Sequence, residues 1–551
     1  MPPSNPIETG AVRAHPRAAL PIPTSAGVNL AVALLAALLV VALTGVGLSF
    51  HYAPTATDAW ASTARLETDV LAGALLRSAH HAGATVVIVL CAVLVVHGVA
   101  TAIWRNGRVG WLALVGLLAV LPLAPMTGNL LPWDETGYWQ TQIEATIVGG
   151  APVVGDTMRR TLIGGDQLSS VTLTRYYAIH TLVLPVIIGL CAWMIARSRR
   201  VVAAWVTRRS TLLLASVVVV FIFAVSYVFR APLGAPADPS LPLDVRPEWY
   251  FLPLFALRKL LEGPFEVVAT LVAPGFVLTG LGALPWLDAE GRHGKRLVAL
   301  LSLGGIAIGA LTGVSVYRDH ESRDHVAAMT DAEAKGRLAL EYAAATPADL
   351  SGVPPLYRGM TAFVREGCTT CHASAAGDAK EASAPDLRAF QSRAWLRGFL
   401  EDPSAPKYFG LTPLAFSESD GTGMPGFAQL GGSLDDVVEY VLSLGDKPHD
   451  TAGAARGATM FAEHCAGCHE VTQSASVGPA LEGYGSVEWT ASVIIDPNHE
   501  LAYGELGAAM PDHPHIGRET AMLMASWLLH EGSRVGDDPV ERAGGLHEES
   551  D

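Results

Sequence analysis

The sequence has few charged residues, and this scarcity already separates classes of protein. Of its 551 residues only 16% are charged, 50% are hydrophobic, and the formal net charge is -15. Together with a mean hydropathy of +0.34, this composition predicts a membrane protein with parts outside the bilayer. Nucleic-acid-binding domains present basic faces, so we expect no nucleic-acid partner.

Cysteine is also scarce, and none is left over for a structural disulfide. Cys91 and Cys191 lie inside apolar runs, and the other four cysteines belong to two C-x-x-C-H motifs. A cleavable signal peptide is not expected either, because the first apolar run is long enough to remain as a membrane span. The informative features of the sequence are therefore its apolar runs and the two C-x-x-C-H motifs.

Seven apolar runs are long enough to cross a bilayer as helices. They cover roughly Asn29–Phe50, Ala72–Trp104, Trp111–Leu131, Tyr176–Ala196, Thr211–Phe229, Val267–Leu284 and Leu297–Val316. Basic residues gather on one side of these runs: Arg105, Arg108, Arg197, Arg199, Arg200, Arg208, Arg209, Arg292, Lys295 and Arg296. Because cytoplasmic loops are enriched in lysine and arginine, we predict a cytoplasmic N-terminus and an outer location for the chain beyond Val316.

Changes of composition divide the chain into segments. The predicted order is a cytoplasmic tail at 1–27, a four-helix membrane bundle at 28–210, a three-helix membrane part at 211–318, a linker at 319–355, two repeated segments at 356–447 and 448–533, and an acidic tail at 534–551. The predicted fold class is mainly α, with a seven-span transmembrane helical bundle followed by two small α domains.

Two histidines in the membrane part occupy matching positions. His80 and His180 each lie about one turn into an apolar run, at the end where the chain enters, and both runs have the same direction. They can face each other at similar depth, and two neutral imidazoles across a helix bundle suit the axial positions of a haem iron. The alternative is a pair of core histidines with ordinary hydrogen bonds; the matched depth, direction and flanking residues favour the haem.

The two C-x-x-C-H motifs predict covalently bound haem c. In this motif the thiols bond to the haem vinyl groups and the histidine becomes an axial ligand. A lone copy could be a chance match or half of a zinc site, but here each copy is followed by a proline-containing loop, a tryptophan and a Met-Pro step. The predicted residues are Cys368, Cys371 and His372 in the first copy and Cys465, Cys468 and His469 in the second.

We predict methionine as the sixth ligand of both c-type haems. Met424 and Met510 stand in the two Met-Pro steps, and a thioether ligand raises the potential of the iron. His513 and His515 are the alternatives to Met510. Both segments resemble class I cytochrome c domains, and the resemblance covers residues 356–532.

The membrane part resembles cytochrome b of cytochrome bc complexes over residues 28–318. The seven spans and Pro185 look most like the chloroplast-type form, in which the protein is split after its fourth helix; here both parts and the cytochrome c segments form one chain. The resemblance implies a quinol oxidation site on the outer face, built from two of the loops that carry it. The stretches that carry the resemblance are Thr44–Tyr52, Arg77–His80, Leu131–Trp139, Leu173–His180 and Pro247–Tyr250.

The same resemblance implies roles for individual residues. Glu248 would accept a quinol proton, since a carboxylate at an apolar boundary has a raised proton affinity. Its alternative role is a salt bridge within the loop. Tyr250 would hydrogen-bond the head group, with Pro247 and Trp249 completing the motif, and Arg77 would pair with a haem propionate.

One part of the family's pattern is missing. The family holds a second haem b through histidines about fourteen residues further along each ligand helix, where the same face returns. Here those positions are Leu94 and, on the later helix, Met194 or Ile195. His97 is turned by roughly 100° from the face of His80. We predict one haem b, on the outer side; the alternative is a displaced second haem held by His97 and Met194.

The resulting prediction is a quinol-oxidising cytochrome b/c subunit in a bacterial inner membrane. The resemblance implies a separate Rieske iron–sulfur protein, because the Cys-x-His set of that protein does not occur here. It also implies a membrane quinone, a soluble or membrane-bound cytochrome c or terminal oxidase as acceptor, and a homodimer within a larger complex. The alternative is a membrane-anchored di-haem c conduit that does not oxidise quinol itself.

Overall fold

The structure is a computed structural model that describes residues 25–197, 209–261, 263–346, 352–419, 421–445, 447–472, 478–499, 502–503 and 510–536. Over these ranges the chain is mainly helical and contains no β-strand. The predicted all-α class is therefore confirmed. The chain divides into two compact units, the first ending at Leu340 and the second beginning at Glu341.

Some of the predicted features lie outside the described residues. These are nearly all of the N-terminal tail, most of the acidic tail, and Arg199, Arg200 and Arg208 in the loop after the fourth span.

Seven helices of the first unit are long and apolar enough to cross a membrane, as predicted. They are Ala26–Ser49, Gly73–Ala100, Arg108–Asn129, Ser170–Ala196, Arg209–Val228, Val268–Leu287 and Gly294–Glu321. Each extends to within a few residues of the predicted run, because the length of an apolar run is a local property of the sequence.

Several of these spans are interrupted, and short helices lie between them. In chain order the described α-helices that begin in the first unit are α1 Ser25–Ser49, α2 Ala59–Thr68, α3 Gly73–Ala100, α4 Arg108–Val120, α5 Leu123–Asn129, α6 Glu135–Gly149, α7 Gly155–Ile163, α8 Ser170–Ala178, α9 Leu184–Ala196, α10 Arg209–Val228, α11 Leu252–Leu260, α12 Ala273–Leu287, α13 Gly294–Glu321 and α14 Arg323–Ala345.

The first six spans all contribute to one apolar core. Helix α1 packs along α3 and α10, and α4 packs against α9. Trp111 and Leu117 of α4 and Leu94 of α3 are fully buried in this core. The bundle thus brings the two histidine-bearing spans together.

The fourth span contains one wide turn immediately after α8. Residues Ile179–Val183 form a π-helical turn, and the backbone N–H of Leu184 donates to the Ile179 carbonyl five residues earlier. Pro185 follows directly. A proline lacks a backbone N–H and clashes with the carbonyl four residues before it, and a π turn relieves both problems. His180 lies in this turn.

The loop before α11 is docked onto the start of α6. The backbone N–H of Glu135 donates to the Ala235 carbonyl at 2.9 Å, and that of Ala237 donates to the Trp133 carbonyl at 3.1 Å. The Asp134 carboxylate accepts from the backbone N–H of Gly234 at 2.9 Å. Residues 234–237 of the loop that leads to Pro247–Tyr250 are thereby held against residues 133–135.

The second unit is built from short helices around the two C-x-x-C-H motifs. They are α15 Pro355–Arg365, α16 Arg393–Glu401, α17 Ser433–Leu444, α18 Thr451–His464, α19 Val487–Ile495 and α20 Arg518–Gly536.

The helices that precede the two motifs pack against helices of the opposite segment. Helix α15, just before Cys368, packs against the last helix, α20, while α18, just before Cys465, packs against α17. The two contacts are alike: the Phe363 and Trp527 rings lie 5.2 Å apart, and so do the Tyr440 and Phe461 rings. The two segments are therefore intertwined.

Glycines permit both crossings. A Cβ on Gly359 would collide with the Leu523 carbonyl, and a Cβ on Gly457 would collide with the Asp436 carbonyl. Close backbone approach at a helix crossing requires a residue without a side chain.

Candidate haem and quinol sites

The rings of His80 and His180 face each other inside the bundle. Their centroids are 6.0 Å apart, with an angle of 66° between the ring planes. Metal–imidazole nitrogen bonds are about 2 Å long, so an iron bonded between two such rings places the centroids roughly 6 Å apart. The spacing of the two side chains fits a haem iron.

Each histidine is held through its Nδ1 atom in the same way. Nδ1 of His80 lies 3.0 Å from the Val41 carbonyl, and Nδ1 of His180 lies 2.9 Å from the Ala124 carbonyl. A carbonyl oxygen can only accept, so both Nδ1 atoms carry the proton and both Nε2 atoms keep a lone pair for a metal. A hydrogen bond from the second ring nitrogen to a carbonyl is characteristic of histidines that bind a metal.

A Thr-Gly pair supports each ring, a feature that the sequence reasoning missed. Thr44 Oγ1 lies 3.2 Å from His80 Nδ1, and Thr127 Oγ1 lies 3.1 Å from His180 Nδ1. A Cβ on the following glycine, Gly45 or Gly128, would approach Cε1 of the histidine ring to 2.8 Å. The available signal was the recurrence of Thr-Gly in the first and third spans.

The positions of the family's second histidine pair lie in packed core. Leu94 is 2% exposed, and Met194 and Ile195 pack against the same cluster. His97 lies one turn further along α3, where its backbone carbonyl accepts from the hydroxyl of Thr101 at 2.8 Å. Apolar side chains therefore occupy the region in which a second haem would need ligands.

Arg77 makes contacts to protein groups near the N-terminal end of α3. Its guanidinium pairs with Glu67 and donates to the carbonyls of Ala231 and Pro232, at 2.6 and 3.1 Å. Pairing of Arg77 with a haem propionate stays a prediction.

Glu248 is hydrogen-bonded to Asn129, which follows the glycine beside the His180 ring. Asn129 Nδ2 donates to Glu248 Oε1 at 2.9 Å, and Asn129 follows Gly128, which contacts the His180 ring. Within the described parts of the chain Glu248 forms no ion pair. Its alternative role, a salt bridge within the loop, would require one. Asn129 thus links the carboxylate to the stretch of the third span that lies against His180.

The loop that carries Glu248 is anchored on both sides. Gln140 Nε2 of α6 donates to the Arg246 carbonyl at 2.7 Å, and the Arg246 guanidinium pairs with Asp319 at 2.9 Å. Beyond the loop, the Glu248 carbonyl accepts from the backbone N–H of Phe251 at 2.8 Å. Pro247 fixes the backbone immediately before the carboxylate.

The two aromatic residues of the loop differ in exposure. Trp249 is 44% exposed, and its ring meets the Tyr250 ring edge-on at 5.5 Å. The Tyr250 hydroxyl is buried without a hydrogen-bond partner in the described structure. Burial, together with the charges of Glu248 and Glu144, raises the pKa of Tyr250, so this hydroxyl stays protonated and is available as a donor.

Glu144 is a second carboxyl group at this place, and the sequence reasoning did not single it out. It lies on α6 and interacts electrostatically with Glu248. Burial, and secondarily the Glu248 charge, raise the pKa of Glu144 to about 8. The available signal was an acidic residue in the helix that follows Leu131–Trp139.

The two predicted c-type motifs have similar local geometry. Nδ1 of His372 lies 2.8 Å from the Pro385 carbonyl, and Nδ1 of His469 lies 3.1 Å from the Pro479 carbonyl. Burial lowers the pKa of both imidazoles, which keeps them neutral as metal ligation requires. Both histidines therefore fit an axial position through Nε2.

The two methionines predicted as sixth haem ligands are partly exposed to solvent. Met424 is half-buried against the core formed by α16 and α17, and Met510 is also half-buried. Of the alternatives to Met510, His515 is exposed and lies 3.3 Å from the Glu366 carboxylate, while His513 lies beside it with ring centroids 5.8 Å apart.

Comparison with known families agrees with this geometry. The family described as cytochrome b/b6/petB matches residues 19–197, and the family described as cytochrome b(C-terminal)/b6/petD matches residues 236–303. The membrane part of the chain is therefore similar to both the N-terminal and the C-terminal part of cytochrome b/b6. Residues 452–528 match the family described as cytochrome c oxidase, cbb3-type, subunit III, so a cytochrome c domain is joined to cytochrome b in one chain.

Individual relatives cover the cytochrome b part. Cytochrome b6 of Prochlorococcus marinus strain MIT 9211 is 37% identical over 143 residues, which are 26% of this chain and 66% of that protein. The same protein of strain NATL1A is 36% identical over 143 residues. The chain thus spans just under two thirds of the length of these relatives.

The chain also aligns with part of a solved structure. A chain described as "Hyperthermophilic respiratory Complex III" aligns with 52% of this chain and 82% of its own length, with a TM-score of 0.44 and 21% identity. Likeness at this level carries no argument about function.

Proposed function

We propose that this protein is the quinol-oxidising cytochrome b/c subunit of a Rieske–cytochrome b type complex. It would take electrons from a membrane quinol on the outer face and deliver them, through a Rieske partner and two c-type haems, to a periplasmic acceptor. This is a quinol–cytochrome c reductase type of activity.

The observation that carries the proposal is the position of Glu248. Asn129 holds its carboxylate at 2.9 Å, one residue from the glycine that contacts the His180 ring. A proton acceptor beside a redox-active centre is what quinol oxidation requires, because each quinol loses two protons and two electrons. Tyr250 adds a buried hydroxyl next to this carboxylate.

The proposed cofactors are one haem b and two covalently bound haem c groups. His80 and His180 would hold haem b; Cys368, Cys371, His372 and Met424 would hold the first haem c, and Cys465, Cys468, His469 and Met510 the second. When bound, these groups supply one-electron carriers. The protein's share is to keep the four histidines neutral and oriented through their Nδ1 hydrogen bonds.

We further propose that an inner haem b is missing. Support comes from the packing of Leu94, Met194 and Ile195 into the apolar core, which leaves the inner half of the bundle without a facing pair of imidazoles. The second quinol electron would then follow a route different from that of a protein with two b-type haems.

The proposed environment is a bacterial inner membrane with the N-terminus in the cytoplasm and the c-type haems on the outer side. The asymmetry of basic residues supports this orientation. Proposed partners are a Rieske iron–sulfur protein, a membrane quinone, a cytochrome c or terminal oxidase, and a second copy of the chain.

A second candidate function is a membrane-anchored di-haem c conduit without quinol oxidation. The packed inner half of the bundle favours it, because electrons would have no second b-type relay. The geometry around Glu248 favours the first candidate.

Quinol-dependent reduction of the c-type haems separates the two candidates. In membranes that retain the Rieske partner, wild type should reduce the c haems on addition of quinol, and Glu248→Gln should slow the rate on the order of 10²-fold, as expected for loss of a general base. Glu266→Gln is the matched control, since Glu266 pairs with Arg258 at 2.7 Å away from the histidine pair. Equal rates for wild type and Glu248→Gln would refute quinol oxidation at this site.

A further inference from the structure

Two buried polar atoms near Glu248 have no hydrogen-bond partner among the described residues. They are Glu144 Oε2 and the Tyr250 hydroxyl. Buried polar groups are normally satisfied, so two such atoms in one place indicate that a ligand completes the bonding.

Glu144 lies on the face of α6 that is turned toward the Glu248 loop. Residues four apart on a helix share a face, and Gln140, four residues before Glu144, donates to the Arg246 carbonyl in that loop. Consistently, Glu144 interacts electrostatically with Glu248 and Tyr250. The unpartnered carboxyl oxygen therefore faces the same space as the unpartnered Tyr250 hydroxyl.

The same space borders the histidine pair. Glu144 also interacts electrostatically with Tyr176, which precedes His180 by one helical turn. The titratable groups around Glu144 are thus Glu248, Tyr176 and Tyr250, and no cationic side chain forms an ion pair with Glu144 in the described ranges. A carboxylate without a cation is costly at a buried position, which favours the neutral acid.

We propose that Glu144 is a second carboxyl group of the quinol pocket, which stays protonated beside Glu248 and donates a hydrogen bond from Oε2 to an oxygen of the quinone head group. This inference rests on the proposed function, because it takes quinone as the ligand. It adds a binding residue to the pocket and leaves the acceptance of the quinol proton to Glu248.

The chemistry of the two partners is complementary. A quinone head group offers only acceptor oxygens, whereas a protonated carboxyl and a phenol each offer an O–H donor. Two carboxyl groups that lie close together cannot both ionise readily, so one proton is retained by the pair. Glu144, whose Oε2 is unpartnered, holds that proton, while Glu248 accepts from Asn129 and remains the base.

Infrared spectroscopy of the full, haem-loaded protein tests the proposal without relying on turnover. Wild type at neutral pH should show the C=O stretch of a protonated carboxyl that shifts when a short-chain benzoquinone or naphthoquinone is added. Glu144→Gln should lose this quinone-sensitive band. Glu135→Gln is the matched control, because Glu135 is a buried carboxyl on the same helix whose pKa is raised by burial to about 7; it should keep the band.

Kinetics supply a second readout. Glu144→Leu should raise the KM for quinol about tenfold. Glu144→Gln retains an N–H donor and should raise the KM less. In wild type the affinity for quinol should fall above pH 8, and Glu144→Gln should remove this fall. In both variants the haem b absorption reports that the bundle is folded. The kcat should change little, since Glu248 is intact.

The outcomes are separable. The assignment of Glu144 would be overturned if the quinone-sensitive band persists in Glu144→Gln. It would also be overturned if the carboxyl band of wild type does not shift when quinone is added. A band that is lost in Glu144→Gln supports it. If quinone shifts the carboxyl band of wild type but quinol does not reduce the c haems, the assignment of Glu144 stands and the proposed oxidation fails.

Discussion

Adding one methyl group beside either histidine proposed to hold haem b should weaken the binding of haem b and leave the c-type haems in place. In Gly128→Ala the new Cβ would lie 2.8 Å from Cε1 of His180, and in Gly45→Ala it would lie 2.8 Å from Cε1 of His80. The rings cannot retreat freely, because their Nδ1 atoms are held by the carbonyls of Ala124 and Val41. Either the ring turns or the helices separate.

The size of the effect follows from the cost of overpacking. A methyl group forced into a filled core costs about 1–3 kcal/mol. If this cost falls on the haem-bound state, the affinity for haem b drops by about 5- to 150-fold. The position of the histidines relative to a bound haem would also change, which broadens the haem b absorption even where haem remains.

The assay is a pyridine haemochrome measurement of haem b and haem c per polypeptide, with a reduced-minus-oxidised spectrum. The matched control is Gly116→Ala in the same span, where the Cβ would make an ordinary contact with Cys191 Sγ at 3.8 Å. It should retain haem b. Full haem b content and an unchanged spectrum in both Gly45→Ala and Gly128→Ala would refute the proposed seating of the two imidazoles.

Further predictions concern the haem count, the intertwined helices and acid stability. The purified protein should contain one haem b and two haem c, and His80→Ala should remove haem b alone; two haem b per wild-type chain would contradict the single-haem proposal. Trp527→Ala should cost about 3–5 kcal/mol, and calorimetry should show one cooperative transition of the c-haem unit shifted to lower temperature, whereas two independent transitions would argue against the crossed pairing. Burial alone would raise the pKa of Glu439, but its hydrogen bonds, chiefly with Arg393, lower it below the usual value. The stability that Glu439 contributes is therefore present above its unfolded pKa and lost as pH falls through the folded pKa; Arg393→Gln should flatten the acid limb of a plot of melting temperature against pH, and an unchanged limb would contradict this.

Features that depend on local sequence were predictable. The seven spans follow from the lengths of apolar runs, and the c-type motifs follow from covalent chemistry that needs a fixed spacing of Cys and His. His80 and His180 could be singled out because their depth and direction can be read along the chain. The structure adds that their rings are 6.0 Å apart.

Features that depend on which helices and loops pack against each other were not predictable in detail. Thr127 supports His180 only because the third span packs against the fourth. Glu144 can belong to the proposed quinol site only because Gln140 docks the loop at Arg246. The π turn at His180 was signalled by Pro185, yet the choice of a π turn over a kink depends on the surrounding bundle.

The sequence by itself determined that the chain has a seven-span membrane part followed by two C-x-x-C-H segments, since hydrophobic run length and covalent motifs are properties of single stretches. It also suggested two successive domains at 356–447 and 448–533, boundaries that stay a prediction. Only the tertiary structure decided that α15 pairs with α20 and α17 with α18. The Gly-x-x-x-Phe faces of the two segments are alike, so either pairing satisfies the local pattern, and the choice belongs to the packing of the whole unit.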